Sequence, residues 1–262
     1  MARYQIILSY DGTDFQGFQR QGSKRTVQGE VEQALRRLGW CGRSILAAGR
    51  TDSGVHAAGQ VIAFDLDWQH TPDALARALD SALPHGIAVQ SAALAGEDFH
   101  PRYDARARQY RYEIYCRPVV DPLRDRYAWR VYPALDGDLL RQAAALLTGA
   151  RDYAALGKPP KPGGSTMRIV YSSEWTQTAD GWRYRVSANA FLYHMVRRMV
   201  YLQVRVGQGR LTTARLVEVL DQEVVPPPGL APASGLCLEE VRYQISEKEI
   251  RMLTGEVNWN EL

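Results

Sequence analysis

A polar turn punctuated by glycine, between two apolar runs at residues 48–57, constrains the fold of this chain most strongly. It reads Ala-Gly-Arg-Thr-Asp-Ser-Gly-Val-His-Ala, with Asp52 at its centre. Gly49 and Gly54 permit backbone angles that other residues resist, so Asp52 can be held in a tight loop. Arg50 can keep the Asp52 carboxylate ionised, as a nucleophile or a general base. Taken alone, these residues slightly favour an ordinary Asx-turn with Arg50 in solvent, because Asp and Gly are common in turns.

Strand and helix patterns alternate through the first hundred residues. Alternating apolar residues predict strands, and apolar stripes at helical spacing predict helices. The expected strands are 4–10, 44–48, 60–66 and 87–94; the expected helices begin after Thr26 and Thr71 and end at Gly39 and before Pro84. This alternation around one sheet predicts an α+β domain that carries the Asp52 turn at the end of the sheet.

The second half follows a similar coarse plan. The patterns predict helices over 135–147, with Asp136 or Asp138 near its start, over 189–206 and over 211–222, and strands over 168–176, 182–187 and 235–243. Residues 117–134 form a proline-containing connection, and 158–165 a loop. The shared plan predicts a duplicated α+β unit with a central cleft, divided into an N-terminal domain over 1–104 and a C-terminal domain over 105–262.

Two further residues stand out beside Asp52. Tyr110 lies in a stretch, 99–115, where arginines alternate with tyrosines, which suits contact with phosphates and stacking on unpaired bases. By strand period Tyr110 shares a face with Tyr112, so a core tyrosine is the simpler local interpretation. Arg197 lies in an apolar helix and needs a partner such as a carboxylate, for which Asp52 is one candidate.

Composition limits the class of protein. The hydrophobic fraction of 45% and the charged fraction of 23% are those of a globular protein, and no apolar run is long enough to span a bilayer. The three cysteines are widely spaced, which suggests neither a disulfide framework nor a zinc site. With no signal-peptide pattern at the N-terminus, we expect a cytoplasmic protein. The net charge of +3 permits a nucleic-acid partner without requiring one.

Several motifs in order along the chain resemble the TruA family of tRNA pseudouridine synthases. The motifs are Tyr-Asp-Gly-Thr at 10–13, Gly-Arg-Thr-Asp-Ser-Gly-Val-His-Ala at 49–57, Tyr-Arg-Tyr at 110–112, Phe-Leu-Tyr-His-Met-Val-Arg at 191–197 and Ala-Pro-Ala-Ser-Gly-Leu at 231–236. The block at 49–57 is highly specific to that family. Tyr201 and Arg198 depart from the family pattern, as does the proline-rich segment 223–230. These departures affect the expected packing of the helix or the neighbouring RNA contacts.

The resemblance implies an isomerase that converts uridine to pseudouridine at positions 38, 39 and 40 of the tRNA anticodon stem-loop. It also implies a homodimer without metal or organic cofactor, built from two similar halves of an RRM/ferredoxin-like unit with largely antiparallel sheets. Carried over by motif position, Asp52 is the catalytic residue and Tyr110 lies against the target base. Arg50 assists base flipping, Arg197 is the basic partner of Asp52, and Leu236 adds an apolar wall beside the base. Because a flipped base needs a stacking partner, the resemblance favours the functional interpretation of Tyr110.

Three other functions fit parts of the sequence. A family member can act on other uridines or other RNAs, and a non-catalytic RNA-binding protein can use Asp52 only as a turn residue. The intact set of Asp52, Arg50, Tyr110 and Arg197 argues against loss of catalysis. A retaining glycosidase requires a second catalytic carboxylate near the first, and no acidic residue lies in a comparable motif.

Overall fold

The computed structural model describes residues 1–254 of the chain. Contacts divide the chain into two compact units: unit 1 comprises Met1–Ala105 with Cys237–Tyr243, and unit 2 comprises Arg106–Leu236 with the residues from Gln244 onward. The domain boundary after residue 104 stays a prediction, and the last residues of the predicted C-terminal domain lie outside the described range.

The regular elements alternate between strands and helices along the described chain. They are β1 (Ala2–Tyr10), α1 (Val27–Arg37), β2 (Leu46–Ala47), β3 (His56–Leu66), α2 (Pro72–Ala82), β4 (Ile87–Leu94), β5 (Ala107–Tyr115), α3 (Pro122–Asp125), β6 (Trp129–Arg130), α4 (Gly137–Ala145), β7 (Gly149–Asp152), β8 (Met167–Thr178), β9 (Gly181–Ala188), α5 (Met195–Gly207), α6 (Thr213–Leu220), β10 (Leu236–Arg242) and α7 (Glu247–Thr254). This mixture of helices with mostly antiparallel strands confirms the predicted α+β class. The described helices include none with the length and hydropathy that a bilayer span requires.

The sheet of unit 1 has the strand order β4-β1-β3-β10. Strand β1 is antiparallel to both neighbours and pairs Ile6 with Ile62 of β3 and with Ala92 of β4. Strand β10 returns from the end of the chain and runs parallel to β3, pairing Cys237 with His56. The short strand β2 leads toward the Asp52 turn, and β3 begins directly after it.

The two helices of unit 1 begin where their caps predicted. The Thr26 hydroxyl accepts a hydrogen bond from the Gly29 amide at the start of α1, and Thr71 does the same for Ala74 at the start of α2. Each cap satisfies an amide that has no partner within its helix. The apolar stripe of α1 and the leucines of α2 are buried, which confirms both predicted helices.

The sheet of unit 2 has the strand order β5-β9-β8-β7, with β6 parallel to β5. Neighbours in this main order are antiparallel. The register stacks aromatic residues across the sheet, because Tyr112 lies opposite Tyr184 and Tyr184 lies opposite Trp175. The Trp175 indole donates to Gln203 of α5 at 2.7 Å, so a polar contact within the core fixes that helix to the sheet. Whether the two units are copies of one duplicated unit stays a prediction.

Helix α5 begins six residues later than the sequence predicted. Instead of starting a helix at residue 189, the Asn189 side chain accepts from the amides of Ile169 and Ala190, at 3.0 and 2.8 Å. A side chain that bonds local backbone in this way competes with helix formation. His194 then adopts a φ of 66°, outside the helical region, immediately before α5. The predicted helix over 189–206 was therefore wrong at its start, although its apolar part is buried as expected.

Candidate active site

Asp52 lies in unit 1, in the loop between β2 and β3. Its side chain is partly exposed, while Thr51 before it and Val55 after it are buried. The Val55 amide donates to the Asp52 carbonyl at 3.1 Å, and Gly54 adopts a φ of 78° within that turn. The backbone around Asp52 is therefore anchored between buried residues, while Asp52 itself is partly exposed. Arg50 is exposed in the same loop.

The segment after β1, residues 11–18, braces the Asp52 loop from its other side. The Phe18 amide donates to the Thr51 carbonyl at 3.1 Å, and the Ser53 hydroxyl donates to the Phe15 carbonyl at 3.3 Å. The Tyr10 hydroxyl shares a hydrogen bond of 2.8 Å with the Thr51 hydroxyl. Hydrogen bonds on both sides of Asp52 thus fix the path of its backbone.

Two glycines allow this segment to approach the loop so closely. A Cβ added to Gly12 would lie 2.1 Å from the Val55 carbonyl oxygen, closer than any side chain can tolerate. A Cβ added to Gly17 would lie 2.9 Å from the Thr51 carbonyl oxygen, and the φ of Gly17 is 83°. The sequence analysis included Gly12 only as part of the motif at 10–13. Its spacing from residue 55 along the chain gave no signal of the contact.

His56 and Gln60 support the same loop from β3. The Gly12 amide lies 3.0 Å from His56 Nδ1 and is placed to donate to this nitrogen. Asp11 Oδ1 is 3.2 Å from the same nitrogen, a contact that becomes an ion pair when His56 is protonated. The Gln60 amide donates to the Gly49 carbonyl at 3.0 Å. Of these supports, the sequence analysis included His56 only as part of the motif and Gln60 only as the start of a predicted strand.

Tyr110 lies in unit 2, on β5. Its ring is 9% exposed and meets Phe191 edge to face, with ring centroids 5.1 Å apart. Phe191 precedes α5 in the segment that the sequence analysis assigned to a helix. The hydrogen bonding of Asn189 that delays the helix therefore also leaves Phe191 in an irregular segment against Tyr110.

Arg197 of α5 holds the segment that leads to Leu236. Its Nε donates to the Ala231 carbonyl at 2.8 Å, and the Ala231 amide donates to the Arg197 carbonyl at 3.3 Å. Leu236, at the end of this segment, is 5% exposed. Arg197 is thus hydrogen-bonded to the start of the segment that positions Leu236. The predicted pairing of Arg197 with Asp52 concerns residues of different units and stays a prediction.

Tyr112 supports the same segment, and the sequence analysis missed this role. Its hydroxyl donates to the Pro232 carbonyl at 2.7 Å, and Gly235 lies so close to its ring that a Cβ there would be 2.5 Å from the ring. Burial raises the pKa of the Tyr112 hydroxyl well above its usual value, although the charge of Arg197 acts in the opposite direction. Tyr112 is therefore a neutral hydrogen-bond donor at physiological pH.

The two sets of residues offer different chemistry. Unit 1 provides a partly exposed carboxylate on a braced loop, which suits nucleophilic attack or proton transfer. Unit 2 provides aromatic rings, an arginine and an apolar side chain, which suit the binding of a planar, hydrogen-bonding ligand.

The family model described as tRNA pseudouridine synthase matches residues 6–104 and 143–244 of this chain. Asp52, Arg50, Arg197 and Leu236 lie within the matched residues. Tyr110 lies between the two matched segments.

Several curated proteins are similar to this chain over nearly their whole length, and each is named tRNA pseudouridine synthase A. The protein from Shouchella clausii is 38% identical over 93% of this chain and 94% of its own length. The protein from Brevibacillus brevis is 39% identical over 93% of this chain and 100% of its own. The protein from Neisseria gonorrhoeae is 38% identical over 92% of each.

Proposed function

This chain belongs to the tRNA pseudouridine synthase family, and we propose that it converts uridine to pseudouridine at positions 38, 39 and 40 of the tRNA anticodon stem-loop. Enzyme activity of the isomerase class follows from the family. The choice of positions comes from the motif resemblance, which covers nearly the whole chain. We further propose that the protein acts as a homodimer in the cytoplasm and needs no metal or organic cofactor.

One observation carries the proposal for Asp52. Its carboxylate is partly exposed on a loop whose backbone is braced by hydrogen bonds from residues 11–18. A group that must meet one atom of a substrate works best when its own position is fixed before binding. Asp52 is therefore the nucleophile or base of the proposed reaction.

The reaction needs only one such carboxylate. The bond between uracil N1 and C1′ of the ribose breaks, the base rotates, and a bond forms between C5 and C1′. The C5 proton leaves and N1 gains a proton, so the product is an isomer of the substrate and no oxidant or reductant is consumed. Asp52 either attacks C6 or C1′, or removes the proton that starts elimination through a glycal.

The other residues act on the flipped base in this proposal. Extruding a uridine from a stacked stem costs a few kcal/mol. Arg50 fills the space that the base leaves, Tyr110 stacks on the base, and Leu236 forms an apolar wall. Arg197 keeps Asp52 ionised, in addition to its contact with Ala231.

A tritium-release assay tests the role of Asp52. On anticodon stem-loop RNA labelled at uridine C5, we expect release by the wild type and a loss of at least about 10³-fold for Asp52→Asn, because the amide is neither nucleophile nor base. Asp67→Asn, which alters an exposed carboxylate beyond β3, is the matched control and should retain activity. Equal release by wild type and Asp52→Asn would remove Asp52 from the mechanism.

The same assay separates the main alternatives. Release from RNA whose labelled uridines lie outside positions 38–40 would indicate another target for the same chemistry. RNA binding by the wild type without any release would favour a non-catalytic RNA-binding protein.

A further inference from the structure

Tyr193 forms an exposed aromatic stack with His194 immediately before α5. The two ring centroids are 3.7 Å apart, and the ring planes differ by 25°. Tyr193 is 57% exposed, whereas its neighbour Leu192 is 4% exposed. The chain therefore turns Leu192 into the core and presents the Tyr193 ring to solvent with His194 against it. None of the roles proposed above uses this pair.

The backbone holds the stack in place. The Tyr193 amide donates to the Lys158 carbonyl at 2.9 Å, and the two residues form an antiparallel bridge. Gly157 allows this approach, because a Cβ there would lie 2.6 Å from the Tyr193 carbonyl oxygen. His194 has a φ of 66°, which is uncommon for a residue other than glycine. Backbone strain of this kind clusters at ligand sites, where the surroundings impose it.

A positive charge accompanies the stack. Residues paired on an antiparallel bridge direct their side chains to the same side, so the exposed Lys158 extends from the same side of the backbone as the Tyr193 ring. Phe191, two residues before Tyr193, contacts Tyr110. The segment from Phe191 to His194 thus connects the tyrosine proposed to contact the target base with an exposed ring next to a cation. An aromatic face beside a cation matches the base and the phosphate of one nucleotide.

We propose that the Tyr193–His194 stack binds an unpaired base of the RNA substrate adjacent to the flipped uridine, and that Lys158 contacts a neighbouring phosphate. This inference rests on the proposed function and adds a second base-binding position to the same site. Stacking on an aromatic ring accepts any base, because every base has a π face. The position therefore contributes to affinity for the loop and does not select its sequence.

The test measures RNA affinity in the Asp52→Ala background, in which binding is separated from turnover. The probe is an anticodon stem-loop with 2-aminopurine at successive loop positions, observed by fluorescence and anisotropy. Adding Tyr193→Ala should weaken binding about 5- to 100-fold and abolish base quenching at one loop position. Adding Tyr193→Phe should preserve both signals, because the ring remains. Tyr127→Ala, which removes another exposed tyrosine of unit 2, is the control.

The salt dependence of RNA affinity distinguishes base stacking from contacts with phosphates. Removing a base stack leaves the slope of log affinity against log salt unchanged, whereas Lys158→Ala should reduce that slope by about 1. His194→Asn should also weaken binding, because asparagine tolerates the left-handed backbone but provides no ring. Melting temperatures equal to that of the parent would exclude loss of folding as the cause.

Unchanged affinity and quenching in the Tyr193→Ala protein would overturn the inference. Its failure is distinct from failure of the proposed function, which the tritium assay measures on the wild type. Tritium release by the wild type, combined with normal RNA binding by the Tyr193→Ala protein, would reject the stacking position alone. Weakened RNA binding by the Tyr193→Ala protein, together with no tritium release by the wild type, would support the stacking position and reject the isomerase function.

Discussion

Tyr112 shows how a single buried hydroxyl can control a segment at the candidate site. Its ring is completely buried, and its hydroxyl is bonded to Pro232, next to the residue that Arg197 holds. Leu236 follows a few residues later. The position of Leu236 thus depends on a core residue that has no contact with substrate in the proposed mechanism.

We expect Tyr112→Phe to reduce the free energy of unfolding by about 1–2 kcal/mol, because the Pro232 carbonyl loses its donor. It should also raise KM for RNA, since the segment before Leu236 is less well held. Tyr184→Phe is the matched control: it removes another buried hydroxyl of unit 2, bonded to Ser173 at 2.8 Å, and should destabilise the protein without changing KM. Urea unfolding and steady-state kinetics check both values. The same KM in both variants would contradict the positioning role of Tyr112.

Individual side chains could be predicted from the sequence only where the motif marked them. Gly49 and Gly54 predicted the turn that contains Asp52 and Arg50. Gly12 and Gln60 support the same turn through contacts with Val55 and Gly49, which lie outside their own local sequence. Local patterns carry no information about such contacts, which arise only when strands pair.

At the level of elements, helix α1 connects the core of unit 1 to the brace around the Asp52 loop. Glu32 is fully buried on this helix and accepts from the Gln28 amide group at 2.8 Å and from the Ile45 backbone amide at 3.2 Å. Its other oxygen accepts from Arg20 at 2.5 Å. Residue 45 leads into β2, and residue 20 follows the bracing segment. One carboxylate thereby joins a helix to both approaches to the site.

Glu32→Ala should lower the free energy of unfolding by about 2–3 kcal/mol, because two buried donors lose their acceptor. The control is Glu30→Ala on the same helix, whose ion pair with Arg25 is partly exposed and should contribute at most about 1 kcal/mol. Denaturant unfolding monitored by fluorescence gives both values. A loss for Glu32→Ala no larger than that for Glu30→Ala would show that Glu32 does not hold these elements together.

The elements with strong periodicity and good caps were predictable. The bounds of helices α1 and α2 and of strand β4 agree closely with those predicted from the sequence, because capping residues and apolar spacing act locally. The start of α5 was not predictable from its apolar pattern. Asn189 bonds to another strand and His194 adopts an unusual φ, and neither effect changes the spacing of apolar residues.

At the level of the whole molecule, the family resemblance predicts the oligomeric state of the active protein. The motif resemblance implies a homodimer, so we expect light scattering at micromolar concentration to give the mass of two chains. Dilution should lower the mass and the tritium release together if the dimer is the active form. A mass of one chain with full activity would reject the homodimer.

The sequence predicted the α+β class and the family, while the combination of the candidate residues into one site stays a prediction. Asp52 belongs to unit 1, and Tyr110 and Arg197 belong to unit 2. Patterns within a chain describe each unit separately. Only the motif resemblance connects the residues of the two units in a single function.

The discontinuity of unit 1 has a consequence for biosynthesis. Strand β3 carries His56 directly after the Asp52 loop, and its partner Cys237 leaves the ribosome only after all of Arg106–Leu236 has been translated. At roughly 5–20 residues per second, this interval is on the order of ten seconds. During that time the edge of β3 beside the loop lacks its native neighbour and is open to pairing with other nascent chains. The Asp52 loop therefore gains this neighbour only after unit 2 has been translated, so we expect a fragment that ends before β10 to lack the proposed activity.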